Sequence, residues 1–181
     1  LLYGKKDILN KLPNQNHEFL EGDVPYTLNP GGPNHEELSC LIGVYEYFNN
    51  LYEHHFPGQD ASTRGKIEAV NDLIAKHEME IANPLLDYIN TRDDIKLIGK
   101  TNISNKDRAP TIAFTMNNKS SKELSSDLVK QGIATRNDNF YAWRCLKALG
   151  IDTDDGVVRT SMVHYNTHED VSNLINALKT I

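Results

Sequence analysis

The chain has 181 residues, 39% of them hydrophobic and 24% charged, with a formal net charge of −6. That length suits one medium domain, or one domain plus a piece of another, with a core large enough to stand without staples. The acidic balance speaks against a nucleic-acid binder that works by neutralising phosphates, and no apolar run approaches the length of a membrane span.

The opening Leu1-Leu2-Tyr3-Gly4 reads as the end of a buried strand followed by a turn, so the chain is expected to be a fragment of a longer protein, with a processed N-terminus as the alternative. Asp7 to Leu12 has room for one or two helical turns before Pro13. From Asn14 to Pro33 the chain carries Gly22, Pro25, Pro30, Gly31, Gly32 and Pro33, the composition of a long loop. Loops of that length in compact domains are usually functional or mobile.

A helix is predicted from Asn34, which is a good N-cap with Glu37 three residues on. Its apolar stripe is Leu38, Leu41, Ile42, Tyr45, Phe48 and Leu51 or Tyr52, and Pro57-Gly58 stops it. A second helix spans about Ser62 to Asn90, with Pro84 expected to kink or split it. Tyr45, Tyr47, Phe48 and Tyr52 spread over more than one face of the first helix, which therefore needs two partners.

Beyond residue 93 the pattern changes to β-β-α-β-α-β-α. Strands are predicted at Ile95–Ile98, Pro110–Met116, Ile133–Thr135 and Val157–Val163, and helices at Ser120–Gln131, Phe140–Leu149 and from Thr167 onward. The division expected is 1–92, a remnant of a larger domain with connecting helices, and 93–181, a small α/β domain. Its sheet should be mixed or antiparallel, with helices on one face.

Candidate chemistry centres on two arginines, Arg136 just after one strand and Arg159 inside another. A guanidinium in an apolar strand needs a partner, and its planar fork suits a carboxylate. Taken alone, Arg159 fits an outward-facing arginine or an internal ion pair slightly better. His164 reads as a packed or hydrogen-bonded residue, and His54-His55 as helix C-terminal charge. Cys40 and Cys145 show no metal-ligand or disulfide spacing, and the usage fits a reducing cytoplasm. Cys145 reads as semi-buried and inert. Gly31-Gly32-Pro33-Asn34 opens a helix, a weak phosphate signal that Glu36 and Glu37 oppose.

The string from Gly156 to Leu178, with Arg159, then Tyr165-Asn166-Thr167 and an amphipathic helix, resembles the C-terminal end of class V aminotransferases. This pyridoxal-phosphate group of fold type I includes the cysteine desulfurases. Leu2-Tyr3-Gly4-Lys5, Gly32-Pro33-Asn34-His35-Glu36, Arg108–Phe114, Gly132-Ile133 and Phe140-Tyr141-Ala142 resemble a desulfurase-like subfamily in the same order. The resemblance implies a pyridoxal-phosphate enzyme acting on an amino acid by transamination, elimination or a desulfurase-like reaction. It implies that Arg159 holds the substrate carboxylate and that Arg136 precedes the desulfurase cysteine loop. It also implies a cytoplasmic homodimer in which the loop with Gly31, Gly32 and Asn34 reaches the partner's cofactor phosphate.

Three departures accompany the resemblance. The cofactor-bearing lysine is expected before Leu1, and Lys5 and Lys6 follow the strand instead, so this chain alone should be inert. Tyr141 stands where the persulfide cysteine would fall, with Cys145 about one helical turn further. Gly32 replaces the loop's phosphate-contacting threonine. The competing class is a non-enzymatic α/β binding or dimerisation module in which Arg159 is structural.

Overall fold

Asn34 begins the first long element as its composition requires, its side-chain oxygen accepting the Glu37 amide at 3.0 Å. The computed structural model describes residues 3–23, 26–29, 31–102 and 108–181. The strand ending expected at Leu1-Leu2, and Pro25 and Pro30 of the loop, lie outside the described residues. Contacts divide the chain into two compact units, Leu1–Val70 and Asn71–Ile181.

The first unit holds a short helix α1 (Lys6–Leu9), the loop, α2 (His35–His55) and the start of α3 (Thr63–Asn90). Polar contacts organise the loop: the Asn16 side-chain amide donates to the carbonyls of Tyr26 at 2.9 Å and Asn29 at 2.7 Å. The stripe predicted for α2 is largely uncovered. Among its described residues only Tyr52 is buried, while Leu38, Leu41, Ile42, Val44, Tyr45 and Tyr47 are exposed. Burial comes only near the C-terminal end of the helix, where Lys66 of α3 lies over the Tyr52 ring and its ammonium donates to Asn49. Phe48 and Leu51 are half-buried there, and the stripe from Leu38 to Tyr45 stays exposed.

In the second unit, α3 runs unbroken through Pro84. Ile81, Ala82, Leu85, Leu86 and Ile89 on its inner face are all buried. The strands β1 (Ile95–Ile98), β2 (Thr111–Met116), β3 (Arg136–Asp138) and β4 (Val157–Ser161) form one antiparallel sheet in the order β1-β2-β4-β3. Alternation along β2 turns Ile112, Phe114 and Met116 inward. These residues join Val158 and the inner faces of α3, α4 (Ser121–Lys130) and α6 (His168–Lys179) in one core. Capping boxes at Ser120 with Glu123 and at Thr167 with Asp170 start α4 and α6.

Two elements start later than predicted, and β4 ends at Ser161 rather than Val163. No strand forms at 133–135; β3 starts at Arg136. The Gly132 amide bonds back to Val129 and the Ile133 amide to Leu128, with Gly132 at φ 79°. This Schellman closure of α4 uses Ile133 as its hydrophobic plug rather than as a strand residue. The helix expected from Phe140 starts at Trp143 instead, as α5 (Trp143–Ala148). Phe140 and Tyr141 take φ of 50° and 60°, which no right-handed helix admits.

Candidate functional site

The register of the sheet brings the two flagged arginines together. Arg136 of β3 and Arg159 of β4 are direct cross-strand partners, and Arg159 faces Ala113 of β2 on its other side. Since Phe114 pairs with Val158 on the core face, both arginines stand on the opposite face of the sheet. Arg136 is therefore inside a strand rather than after one. Like charges placed opposite each other repel, and among the described residues neither guanidinium has a carboxylate partner. Arg159 is half-buried, with its guanidinium carbon 4.0 Å from the centre of the Phe140 ring. Arg136 is exposed, and the register sets two positive charges opposite each other at one edge of the sheet, where a carboxylate would find charge-assisted partners.

The loop from Asp138 to Ala142 forms the rim of this face. Asn139 accepts the amides of Tyr141 and Ala142, and its side-chain amide donates to the Thr153 carbonyl. Tyr141 is fully exposed. Cys145 lies on α5 four positions further, and it is exposed rather than semi-buried. On the other side of Arg136, where 133–135 peels away from β4, a pocket opens between Ile133–Thr135, Thr160–Met162 and Asn166 of the α6 entry.

His164 and the α6 entry belong to a separate polar cluster. The His77 imidazole hydrogen-bonds the Asn166 carbonyl at 2.9 Å, and the Asn166 side chain accepts the Val163 amide. Burial pushes the Glu78 carboxyl upward, against the pull of His164 and His77. No group of three or more His, Cys, Asp or Glu among the described residues has metal-binding geometry.

In the first unit, Gly31 and Gly32 are exposed, neither has positive φ, and a Cβ on either would meet nothing within 4 Å. Neither local backbone conformation nor packing within this chain calls for glycine there. Asn34 spends its side chain on the Glu37 amide, leaving the His35 and Glu36 amides without a partner in the described structure. That is room for the edge of an anion at the start of α2, with Glu36 and Glu37 in the same first turn.

Comparison with known proteins places this architecture. The profile of the family described as Aminotransferase class-V matches residues 67–174, and the chain belongs to that family. It is 29% identical over 183 aligned residues to the aminotransferase-like protein FGM3 of Gibberella zeae, covering 100% of this chain and 42% of that protein. It is 30% identical to a probable cysteine desulfurase of Staphylococcus aureus, covering 99% of this chain and 40% of that one. The fold is that of the cysteine desulfurase CsdA from Escherichia coli, with a TM-score of 0.67 at 22% identity over 98% of this chain and 41% of the other. The chain thus spans about two-fifths of the length of these relatives. Class V aminotransferases and cysteine desulfurases are in general pyridoxal-phosphate enzymes that act on amino acids. None of the described helices is long and apolar enough to cross a membrane.

Proposed function

We propose that this chain is the C-terminal part of a pyridoxal-phosphate enzyme acting on an amino acid, and that Arg159 with Arg136 binds the substrate carboxylate. The observation that carries the reading is their direct opposition on the sheet face away from the core, with no carboxylate partner among the described residues. Like charges directly opposite each other across a strand pair are destabilising, so a pair without a carboxylate partner among the described residues supports a ligand between them.

Pyridoxal phosphate, when bound, supplies an electron sink for carbanion chemistry at the substrate α-carbon. The fit of this chain to that group is confined to its phosphate edge. The free amides of His35 and Glu36 would take a phosphate oxygen. The side-chain-free surface of Gly31 and Gly32 would admit close approach from a second subunit of a homodimer. Lys5 and Lys6, at the start of the short α1, are not offered as the covalent anchor. Tyr141 in place of a thiol, with Cys145 displaced onto α5, supports transamination or elimination over persulfide formation. A cytoplasmic location and the 1–92 and 93–181 division belong to the same reading.

The test is kinetic, in the full-length enzyme. Arg159→Ala removes charge-assisted hydrogen bonds worth about 1.5–3 kcal/mol each, so KM for the amino acid should rise roughly ten- to hundredfold. An unchanged KM refutes the assignment and favours a structural arginine in a binding module.

A further inference from the structure

We propose that Phe140 is a positioning residue that holds Arg159 in the orientation needed to bind a carboxylate, and that the left-handed turn carrying it exists for that purpose. The proposal rests on the carboxylate reading of the arginine pair. A guanidinium carbon 4.0 Å from a ring centroid lies well within the range of a cation–π contact. A guanidinium lying with its flat face on the ring would keep its in-plane N–H donors for a ligand. An arginine fixed in this way loses less rotamer freedom on binding than one that swings in water.

The backbone beneath Phe140 is unusual for its residue types. Phe140 and Tyr141 are consecutive, bulky and both left-handed, at φ 50° and 60°. Each such residue is disfavoured and persists only where its surroundings over-determine it. Three ties do so here. The Tyr141 amide donates to Asn139 Oδ1 at 3.0 Å, and the Ala142 amide to the Asn139 carbonyl at 2.8 Å. The Asn139 amide is held by Asp138 Oδ1 at 2.6 Å. Gly156, at φ 74°, lies so close that a Cβ there would fall 2.3 Å from the Asp138 carbonyl carbon. The two rings then fare differently. Phe140 is half-buried on Arg159, whereas Tyr141 projects fully exposed and provides an internal control.

The experiment uses the 181-residue chain, with acetate as the carboxylate probe and the arginine Nε–H resonances as the readout. In the unsubstituted chain, the Phe140 ring current should displace the Arg159 resonance, and acetate should shift both Arg159 and Arg136. Phe140→Leu should return the Arg159 resonance toward that of a free arginine and weaken acetate binding by about three- to tenfold, the range of a partly desolvated cation–π contact. Phe140→Trp keeps a π face and should stay within about twofold of the parent. Tyr141→Ala should change neither resonance nor affinity. An Arg159 resonance and acetate affinity unmoved by Phe140→Leu overturn the proposal. So does an equal loss in Phe140→Trp with the backbone amide pattern retained, because the effect would then be steric. If acetate shifts neither arginine, the carboxylate reading fails. The positioning role of Phe140 falls with it, whereas acetate binding to both arginines with an affinity unmoved by Phe140→Leu keeps that reading and overturns the role of Phe140 alone.

Discussion

Replacing Gly156 by alanine isolates what holds the arginine face together, because the chain supplies its own reference. Gly132 and Gly156 both have left-handed backbones, at φ 79° and 74°. A Cβ on Gly132 would meet nothing within 4 Å. On Gly156 it would lie 2.3 Å from the Asp138 carbonyl carbon, 2.4 Å from its oxygen and 2.7 Å from the Asn139 nitrogen. Gly132→Ala therefore bears the conformational cost alone, about 1–2 kcal/mol. Gly156→Ala adds an overlap with main chain that no rotamer change relieves, about 1–3 kcal/mol more, for a total of about 2–5 kcal/mol. Against a total stability of about 5–15 kcal/mol, that is a large fraction. Urea titrations followed by far-UV circular dichroism and by fluorescence of Trp143, the single tryptophan, would measure both variants. A Gly156→Ala midpoint equal to that of Gly132→Ala would show that the close approach of 156 to 138–139 is not a constraint, and would remove one support of the turn.

Further outcomes follow from the same geometry. Pyridoxal phosphate with borohydride should fix no pyridoxyl group to a unique lysine of this chain; a specific adduct at Lys5 by peptide mass mapping would overturn that. The uncovered stripe Leu38, Leu41, Ile42 and Tyr45 of α2 should drive self-association, so sedimentation should show species larger than a monomer. Substituting Leu41 and Ile42 with glutamate should reverse it, and a strict monomer at the outset would refute the idea. Acid should weaken the second unit as pH falls from about 4 to 2. Asp127, beside Lys119 and Lys130, has its pKa lowered to about 2, and the Thr167 amide and Asn166 hold Asp170 down. Each folded-state value lies below the unfolded one, so the stabilisation is present above the unfolded value and lost as the folded group protonates. Asp127→Asn should flatten that part of the stability-against-pH curve.

Much of this architecture was readable from residue pattern because local signals agreed with the tertiary outcome. The β-forming residues of Pro110–Met116 marked a strand that forms at Thr111–Met116, and Thr167 with Asp170 marked a helix start by its own side-chain chemistry. Ile133–Thr135 misled because a β-branched residue after glycine serves equally as a strand residue or as a helix plug, and the choice depends on the Leu128 carbonyl. Phe140 and Tyr141 carried no mark of a left-handed turn. The constraints that impose it are the Asn139 bonds and the close approach of Gly156, sixteen residues after Phe140 in the chain. Both arginines were legible as candidates. Their opposition was not, because it depends on a register three residues away from the predicted strand. The stripe of α2 was legible as apolar, but pattern alone cannot say whether the chain covers it.

The uncancelled pair of Arg136 and Arg159 also makes the sheet a gauge of its own ligand preference. A molecule that settles between the two charges stabilises the folded chain by mass action, about 2.7 kcal/mol at a hundredfold excess over its dissociation constant. Melting temperatures recorded across a panel of amino acids would rank them by how well each sits there, without any reaction being followed. The order that emerges would name the side chain this face tolerates best, and a panel that leaves the melting temperature unmoved would speak against an amino-acid ligand there.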